Sequence, residues 1–276
     1  MTVDELGRVT ARAARAASTD AALEFADYAR RNKAAWELWA PRSAADARAT
    51  WQGDELQWGI WRTPESELRL LDDLEEGAPV IDLGCGTASV SAWLARCGYQ
   101  PVGVDFVRAQ LETAAELERE FNVHFPLLCA NVERLHYDAE SFDCAISDYG
   151  PSLWSKPRRW LHEAHRILRP GGLLIFVTSS IFLLTCTPET GGLPADKLVR
   201  DYFSRYSIEF PGQDGAVEFH LTHSLWVQLL REAGFVLERL IETQPTAHAP
   251  ARVQLTSRDW ARRWPTEEIW IARKSA

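Results

Sequence analysis

The chain has 276 residues, a formal net charge of -9 at pH 7 and a hydrophobic fraction of 46%. This size and composition are typical of one large α/β domain with additions, which can bury a hydrophobic core. The negative charge argues against a nucleic-acid partner, because neutralising phosphates requires a basic face.

The cysteines and the apolar runs bear on where the protein works. Five cysteines are scattered without a C-x-x-C pair, a pattern typical of reduced residues in a cytoplasmic protein rather than of disulfides or a metal site. The longest apolar run, residues 173–186, is shorter than the roughly 20 residues that span a bilayer and contains hydroxyls. We therefore expect no metal and no membrane partner.

The first 76 residues are predicted to form an N-terminal helical cap. Residues 20–50 carry apolar side chains at helical spacing, and Pro41 is expected to break that helix. A loop rich in tryptophan follows, and Pro64 is expected to open a short helix.

Residues 77–276 are predicted to form the main domain, because strand-like and helical patterns alternate there. Strands are expected at 80–83, 101–104, 125–129, 143–147 and 173–178, with helices at 89–97, 107–121 and 157–168. Continuously apolar strands alternating with helices indicate a parallel sheet covered on both faces. A helix at 222–233, a strand at 235–241 and the strand-like segment EEIWIARK complete the domain.

Residues 180–221 interrupt this alternation. The segment is too long for an ordinary connection, so we interpret it as a substrate lid. A short helix around 197–205 and a strand pair, SIEFP with AVEFH, are expected inside it.

A glycine loop follows the first strand of the predicted sheet. Ligands of open parallel sheets bind at the carboxyl ends of the strands, and glycine lets the backbone approach them closely. Gly84 and Gly86 stand at that place, but NAD enzymes also use such loops. Ser89 in place of a third glycine and the acid Asp82 before the loop favour a cationic ligand over a pyrophosphate. Asp105, about 20 residues on, suits ribose hydroxyls in either case.

Three motifs together, VIDLGCGT at 80–87, VGVD at 102–105 and ILRPGGLL at 167–174, resemble those of the class I S-adenosylmethionine-dependent methyltransferase family. The resemblance implies a Rossmann-like, doubly wound seven-strand sheet of order 3-2-1-4-5-7-6 with the last strand antiparallel. It also implies S-adenosylmethionine as cofactor, with S-adenosylhomocysteine as product. Cofactor contacts are expected from Asp82, Gly84, Cys85, Gly86, Asp105, Phe106, Gln110, Asn131, Val132, Ser147 and Trp61.

The acceptor side is less defined by the sequence. The motif SDYGPSLW lacks the N/D-P-P-Y pattern of some amino-methyltransferases, so methylation of DNA bases is not supported. We expect a small, partly aromatic or apolar molecule as the methyl acceptor. The chain resembles bacterial small-molecule methyltransferases, and we expect it to be a monomer or a homodimer. Candidate catalytic residues are Asp148, Tyr149, His220 and His223. Candidate pocket residues are Trp36, Trp39, Trp58 and Trp154.

Three alternatives remain open at this stage, and one of them, methylation of protein or RNA, is disfavoured by the negative charge and the absent N/D-P-P-Y motif. An NAD(P)-dependent oxidoreductase shares the glycine loop, although no hydride-transfer constellation is recognisable. A non-catalytic protein that binds S-adenosylmethionine would have the same motifs, so the motifs alone do not separate it from an enzyme.

Overall fold

A computed structural model describes residues 26–203, 207–245 and 255–275. The first 25 residues of the predicted cap lie outside them. The cap contributes α1 (Asp27–Trp51), a two-strand hairpin of β1 (Gln57–Trp58) and β2 (Thr63–Pro64), and the one-turn α2 (Glu65–Leu68). Helix α1 runs through Pro41 without ending, so the predicted break is wrong. Buried Ala35 and Ala40 on one side of Pro41 and Ala47 and Trp51 on the other hold both halves in place.

The main domain begins with alternating strands and helices. Its elements are β3 (Pro79–Leu83), α3 (Ser89–Arg96), β4 (Gln100–Asp105), α4 (Arg108–Phe121), β5 (Leu127–Cys129), β6 (Phe142–Asp148), α5 (Pro151–Trp154), α6 (Pro157–Ile167) and β7 (Leu168–Ser179). The second half contains α7 (Ile181–Cys186), β8 (Ser207–Ile208), β9 (Glu218–Phe219), α8 (His223–Glu232), β10 (Phe235–Glu242), α9 (Arg258–Ala261) and β11 (Glu267–Lys274).

Seven strands form one sheet in the order β10-β11-β7-β6-β3-β4-β5. When these seven strands are numbered 1 to 7 along the chain, starting with β3, and the sheet is read from β5 to β10, the order is the predicted 3-2-1-4-5-7-6. β11 lies antiparallel to both β7 and β10, as expected for the last strand, and the other pairings are parallel. The predicted fold class is therefore confirmed.

Alternate residues of the strands point to opposite faces of the sheet, which explains their continuously apolar sequence. On β3, Ile81 and Leu83 belong to one buried cluster and Val80 to the other. On β7, Phe176 and Val177 divide in the same way. Helices cover both clusters, so the core consists of two layers with the sheet between them.

The segment from 180 to 221 differs in part from the expectation. The strand pair is present as β8 and β9, which pair antiparallel. The described residues between 197 and 203 contain no helix, and α7 lies instead within the apolar run after β7. Ser180 caps α7, because its hydroxyl accepts a hydrogen bond from the Leu183 amide. None of the described helices is both long and apolar enough to cross a bilayer.

Candidate functional site

A cavity of about 510 Å³ lies at the carboxyl edge of the parallel strands, beneath α1. This volume falls within the range of small-molecule sites. Its walls come from the loops after β3, β4, β5 and β6, from α1, and from the segment before and within β9. Several sheet connections and the cap therefore converge on one space.

The glycine loop forms one side of this cavity, and its two glycines meet different constraints. Both have positive φ, 73° at Gly84 and 55° at Gly86, a conformation that glycine adopts at little cost. A Cβ on Gly84 would lie 3.0 Å from the Cα of Gly150, whereas a Cβ on Gly86 would meet nothing within 4 Å. Gly84 therefore serves packing, and Gly86 leaves open space beside the cavity.

Gly150, which the sequence reasoning missed, completes this packing. A Cβ there would lie 2.5 Å from the carbonyl oxygen of Leu83. The loop after β6 must therefore be glycine at this point to pass the end of β3. The signal in the sequence was the glycine directly after Asp148 and Tyr149, at the end of the neighbouring strand.

Asp105 ends β4 and holds two loops through its carboxylate. Its Oδ2 accepts a hydrogen bond of 2.9 Å from the Gly86 amide, and its Oδ1 accepts one of 2.8 Å from the Val107 amide. Burial raises the pKa of Asp105 to about 6, although these amide donors oppose the shift. Because Asp105 lines the cavity, its remaining lone pairs are available to a ligand hydroxyl.

Asp82 lies behind the glycine loop rather than in the cavity wall. Its Oδ2 accepts a hydrogen bond of 2.8 Å from the Ser91 hydroxyl, in the first turn of α3. Burial raises the pKa of Asp82 to about 7. The structure thus places Asp82 where it orients α3 and the loop, and Ser147, fully buried on β6, likewise lies outside the cavity lining.

The expected nucleoside end of the cavity contains a buried polar atom that lacks a partner. Gln110 lines the cavity and is 3% exposed, and its Oε1 has no hydrogen-bond partner in the described part of the chain. Its Nε2 is held by Ser43 of α1 at 3.1 Å. An orphaned buried acceptor is costly, so a bound donor would relieve it. Other cavity residues include Cys85, Phe106, Asn131 and Val132, which the sequence analysis proposed as cofactor contacts.

Helix α1 roofs the cavity and carries two of the predicted pocket tryptophans. Trp36 and Trp39 both line the cavity, together with Trp154 of α5. Ring centroids lie 5.2 Å apart for Trp36 and Trp39 and 5.3 Å apart for Trp36 and Trp154. At its C-terminal end, α1 is fixed to the glycine loop by a hydrogen bond of 2.8 Å from the Trp51 indole to the carbonyl of Thr87.

Trp58 and Trp61 do not form the pocket wall that the sequence suggested. Trp58 is fully buried in a core cluster, and its indole donates to Glu65 at 2.6 Å. Trp61 packs in a separate buried cluster, and its indole donates to Thr266 at 2.5 Å. Both indoles find polar partners inside the protein, so these side chains lie behind the cavity lining. The hairpin instead lines the cavity through Gly59 and Ile60.

Tyr149 and Asp148, two of the candidate catalytic residues, line the cavity at the end of β6. The Tyr149 phenol donates a hydrogen bond of 2.9 Å to Oε2 of Glu267. Burial, with the adjacent Glu267 charge second, raises the pKa of Tyr149 well above its ordinary value. Glu267 was not predicted, although β11 is antiparallel and its first residue must reach the carboxyl edge of the other strands.

The two candidate histidines lie outside the cavity lining, beside carboxylates. His220 Nε2 lies 2.7 Å from Oε2 of Glu218, and it is Glu218 that lines the cavity. Residues two apart in an extended segment lie on the same face, and Glu218 and His220 have this spacing in the sequence AVEFH. The spacing therefore could have predicted that they lie together. His223 Nε2 lies 2.7 Å from Oε1 of Glu268, which raises the pKa of His223 by hydrogen bonding. Neither imidazole is placed to act directly on a ligand in the cavity.

Comparisons with known proteins agree with this arrangement. A family model described as a methyltransferase domain matches residues 81–176. The uncharacterized methyltransferase YodH of Bacillus subtilis is 32% identical over 159 residues, which cover 57% of this chain and 59% of that protein. The chain thus spans less than two thirds of the length of this curated relative.

Solved structures share the fold. An S-adenosylmethionine-dependent methyltransferase from Mesorhizobium loti matches with a TM-score of 0.61 and 24% identity, covering 76% of this chain and 96% of that chain. The 1,6-didemethyltoxoflavin-N1-methyltransferase of Burkholderia thailandensis, with bound 1,6-didemethyltoxoflavin and S-adenosylhomocysteine, matches with a TM-score of 0.55 and 17% identity over 88% of each chain.

Proposed function

We propose that the chain is a class I S-adenosylmethionine-dependent methyltransferase, as its methyltransferase-domain match, its relatives and its fold support, and that it transfers the sulfonium methyl group of S-adenosylmethionine to a small molecule. The observation that carries the proposal is the junction of Gly86 and Asp105. The open loop at Gly86 and the buried carboxylate of Asp105 face the same cavity. A nucleoside with an attached cationic chain matches that pair of features.

The residues around the cavity fit this cofactor. Asp105 would accept hydrogen bonds from the ribose hydroxyls, and the orphaned Oε1 of Gln110 would accept one from the adenine amino group. Gly86, with Cys85 beside it, would contact the methionine part. When bound, the cofactor supplies an activated methyl group. The protein supplies position and electrostatics, and holding both reactants in attack geometry can lower a barrier by roughly 7–11 kcal/mol.

Asp148 and Tyr149 are our candidates for the residues that border the transfer centre. Both lie at the carboxyl end of β6, directly beside the glycine loop. Tyr149 also has positive φ, 56°, which is costly for an aromatic residue. Such backbone strain is typical of functional positions.

We propose a small, partly aromatic or apolar acceptor. Support comes from Trp36, Trp39, Trp154 and Leu153, which line the cavity from α1 and α5. Aromatic side chains give large apolar contact area with defined ring geometry. The B. thailandensis neighbour binds a small heterocycle in the same fold.

We further propose that the cap and the segment 180–221 together close the acceptor pocket. α1 supplies the roof, and Gln213 and Glu218 supply one side. Asn32 of α1 ties these parts together, because its Nδ2 donates 2.9 Å hydrogen bonds to the carbonyls of Trp154 and Val217. The five free thiols are consistent with our proposal of a reducing, cytoplasmic location.

Titration calorimetry tests the proposed cofactor. We expect S-adenosylmethionine and S-adenosylhomocysteine to bind to the folded protein, and NADH to bind at least about tenfold more weakly or not at all. Tight NADH binding without binding of S-adenosylhomocysteine would show that the glycine loop serves a dinucleotide. Methyl transfer itself is tested by production of S-adenosylhomocysteine from S-adenosylmethionine over a panel of small aromatic acceptors.

A further inference from the structure

The far part of the cavity, which we call the acceptor end, is formed by Trp36, Trp39, Trp154, Gln213 and Glu218. In two of its three tryptophans, the indole N–H group is already hydrogen-bonded to another part of the protein. Trp39 Nε1 donates to Asp214 at 2.8 Å, and Trp154 Nε1 donates to the carbonyl of Tyr149 at 3.1 Å. These rings therefore offer the cavity mainly their faces and edges.

The polar groups at and beside this end are predominantly hydrogen-bond acceptors. Glu218 presents a carboxylate, and Oε1 of Gln213 is buried without a partner among the described residues. Tyr149 gives its only proton to Glu267, so the phenol oxygen can offer the cavity only lone pairs. Asp148 adds a second carboxylate. A ligand that satisfies such a wall must bring donors.

The charged side chains of the lining are mostly acidic. Asp46, Asp105, Asp148 and Glu218 are its acids, and Arg42 is the single cationic side chain that lines the cavity in the described part of the chain. Arg42 is exposed on α1, at the rim. Asp105 is accounted for by the ribose, which leaves Glu218 and Asp148 facing the remaining space. An anionic ligand would meet repulsion there.

Glu218 is the group best placed to select a cation. It is 9% exposed, and His220 lies against its Oε2 at 2.7 Å and fixes its orientation. Electrostatic attraction is stronger in a buried wall than in water. Nearby aromatic faces add cation–π attraction. A positive group beside the tryptophans would thus be stabilised both by the Glu218 carboxylate and by the aromatic faces.

We propose that the acceptor molecule carries a protonated amino group next to its aromatic or apolar body, and that Glu218 receives this group. This inference rests on the proposed function for the other half of the cavity. Glu218 is a specificity-determining residue that recognises the substrate without taking part in the methyl displacement.

The test uses protein saturated with S-adenosylhomocysteine and three probes that share a phenyl body: 2-phenylethylamine, 2-phenylethanol and 3-phenylpropionate. Binding is measured by calorimetry and by saturation-transfer NMR. We expect the amine to bind about tenfold or more tighter than the alcohol, as a charge-assisted hydrogen bond gives. The carboxylate should bind more weakly than the alcohol. Raising the salt concentration should weaken binding of the amine and leave binding of the alcohol unchanged.

Glu218→Gln should remove most of the preference for the amine while S-adenosylhomocysteine still binds. Glu209→Gln is the matched control, since Glu209 is an exposed glutamate directly after β8, the strand that pairs with β9, and it forms an ion pair with Arg31 instead. Equal or tighter binding of the carboxylate, no binding of any probe, or an intact amine preference in Glu218→Gln would overturn the inference. Failure of wild-type protein to bind S-adenosylhomocysteine would instead contradict the proposed function. The salt dependence is measured on wild-type protein and stands even where Glu218→Gln does not fold.

Discussion

The Tyr149 phenol and the Glu267 carboxylate, 118 residues apart in the chain, are joined by a hydrogen bond of 2.9 Å at the edge of the cavity. Glu267 has no exposed surface and also accepts bonds from the Ile60 amide at 2.7 Å and the Thr243 hydroxyl at 2.9 Å. One carboxylate thus connects the cap hairpin, β11 and the loop after β6. Burial nevertheless raises its pKa from 4.5 to about 7.

This pKa predicts that the ligand-free protein loses stability as the pH rises through the neutral range. A carboxyl whose pKa is raised by folding binds its proton more tightly in the folded state, so stability falls between the unfolded and folded pKa values. Asp82, with a folded pKa of about 7, and Asp105, with one of about 6, act in the same direction. Glu267 alone should contribute on the order of 2 kcal/mol to the difference between about pH 5 and about pH 7.5.

Urea unfolding at the two pH values measures this difference. Glu267→Gln cannot titrate, so its unfolding free energy should depend less on pH than that of wild-type protein. A wild-type stability that rises with pH over this interval, or an equal slope in both proteins, would contradict a raised pKa of Glu267 in the folded state. The pH dependence of His223, whose raised pKa also favours the folded state at low pH, is common to both proteins and cancels.

Asp105→Ala should weaken binding of S-adenosylhomocysteine by roughly 1.5–3 kcal/mol, the range for hydrogen bonds to charged groups. The substitution removes the proposed ribose acceptor and also the group that holds the Gly86 amide. Asp46→Ala is the control, because Asp46 lines the same cavity but is exposed on α1. Calorimetry on both variants decides the matter, and undiminished affinity in Asp105→Ala rules out the ribose contact.

The two glycines of the loop should respond differently to alanine. Gly84→Ala brings a Cβ within 3.0 Å of Gly150 and 3.1 Å of Pro151, so we expect it mainly to lower stability, by roughly 1–3 kcal/mol. Gly86→Ala meets open space on the cavity side. It should cost only about 1 kcal/mol of stability for its positive φ but lower the affinity for S-adenosylhomocysteine. Thermal unfolding and calorimetry separate the two effects, and similar losses of affinity at comparable stability would contradict the assignment.

Sequence patterns predicted the elements whose causes are local. The strand from 80 to 83 and the helix from 107 to 121 follow from uninterrupted apolar residues and from a helical stripe, and both are present with small shifts at their ends. The sheet order did not follow from periodicity. It came from the resemblance carried by three motifs, because the pairing of β11 between β7 and β10 is a long-range choice.

Much of the site could not be predicted for the same reason. Glu267 contacts Tyr149 only because β11 lies in the sheet beside β7, and no sequence pattern around either residue indicates that contact. Trp58 and Trp61 stand in a loop that precedes the first strand, which suggested a pocket wall. They are buried instead because their indoles find Glu65 and Thr266 inside the protein. Side chains of the same type and spacing would give either result.

Helix α1 provides the last prediction, because it contains a proline where a helix ordinarily breaks. Pro41 cannot donate to the carbonyl four residues earlier, and its ring crowds that carbonyl, at a cost of about 3 kcal/mol. Pro41 is exposed, so replacing it creates no cavity. We therefore expect Pro41→Ala to raise the unfolding free energy by up to about 3 kcal/mol, measured by urea titration.

Pro157→Ala provides a contrast to this gain. Pro157 stands at the first position of α6, where the missing amide proton has no helical partner to lose. Its replacement should lower stability, because the unfolded chain gains freedom and the buried ring of Pro157 loses its packing contacts. A Pro41→Ala protein that is no more stable than wild-type protein would mean that contacts of Trp36 and Trp51 on either side already offset the cost of the proline. The cap would then owe its shape over the cavity to that packing and not to the proline.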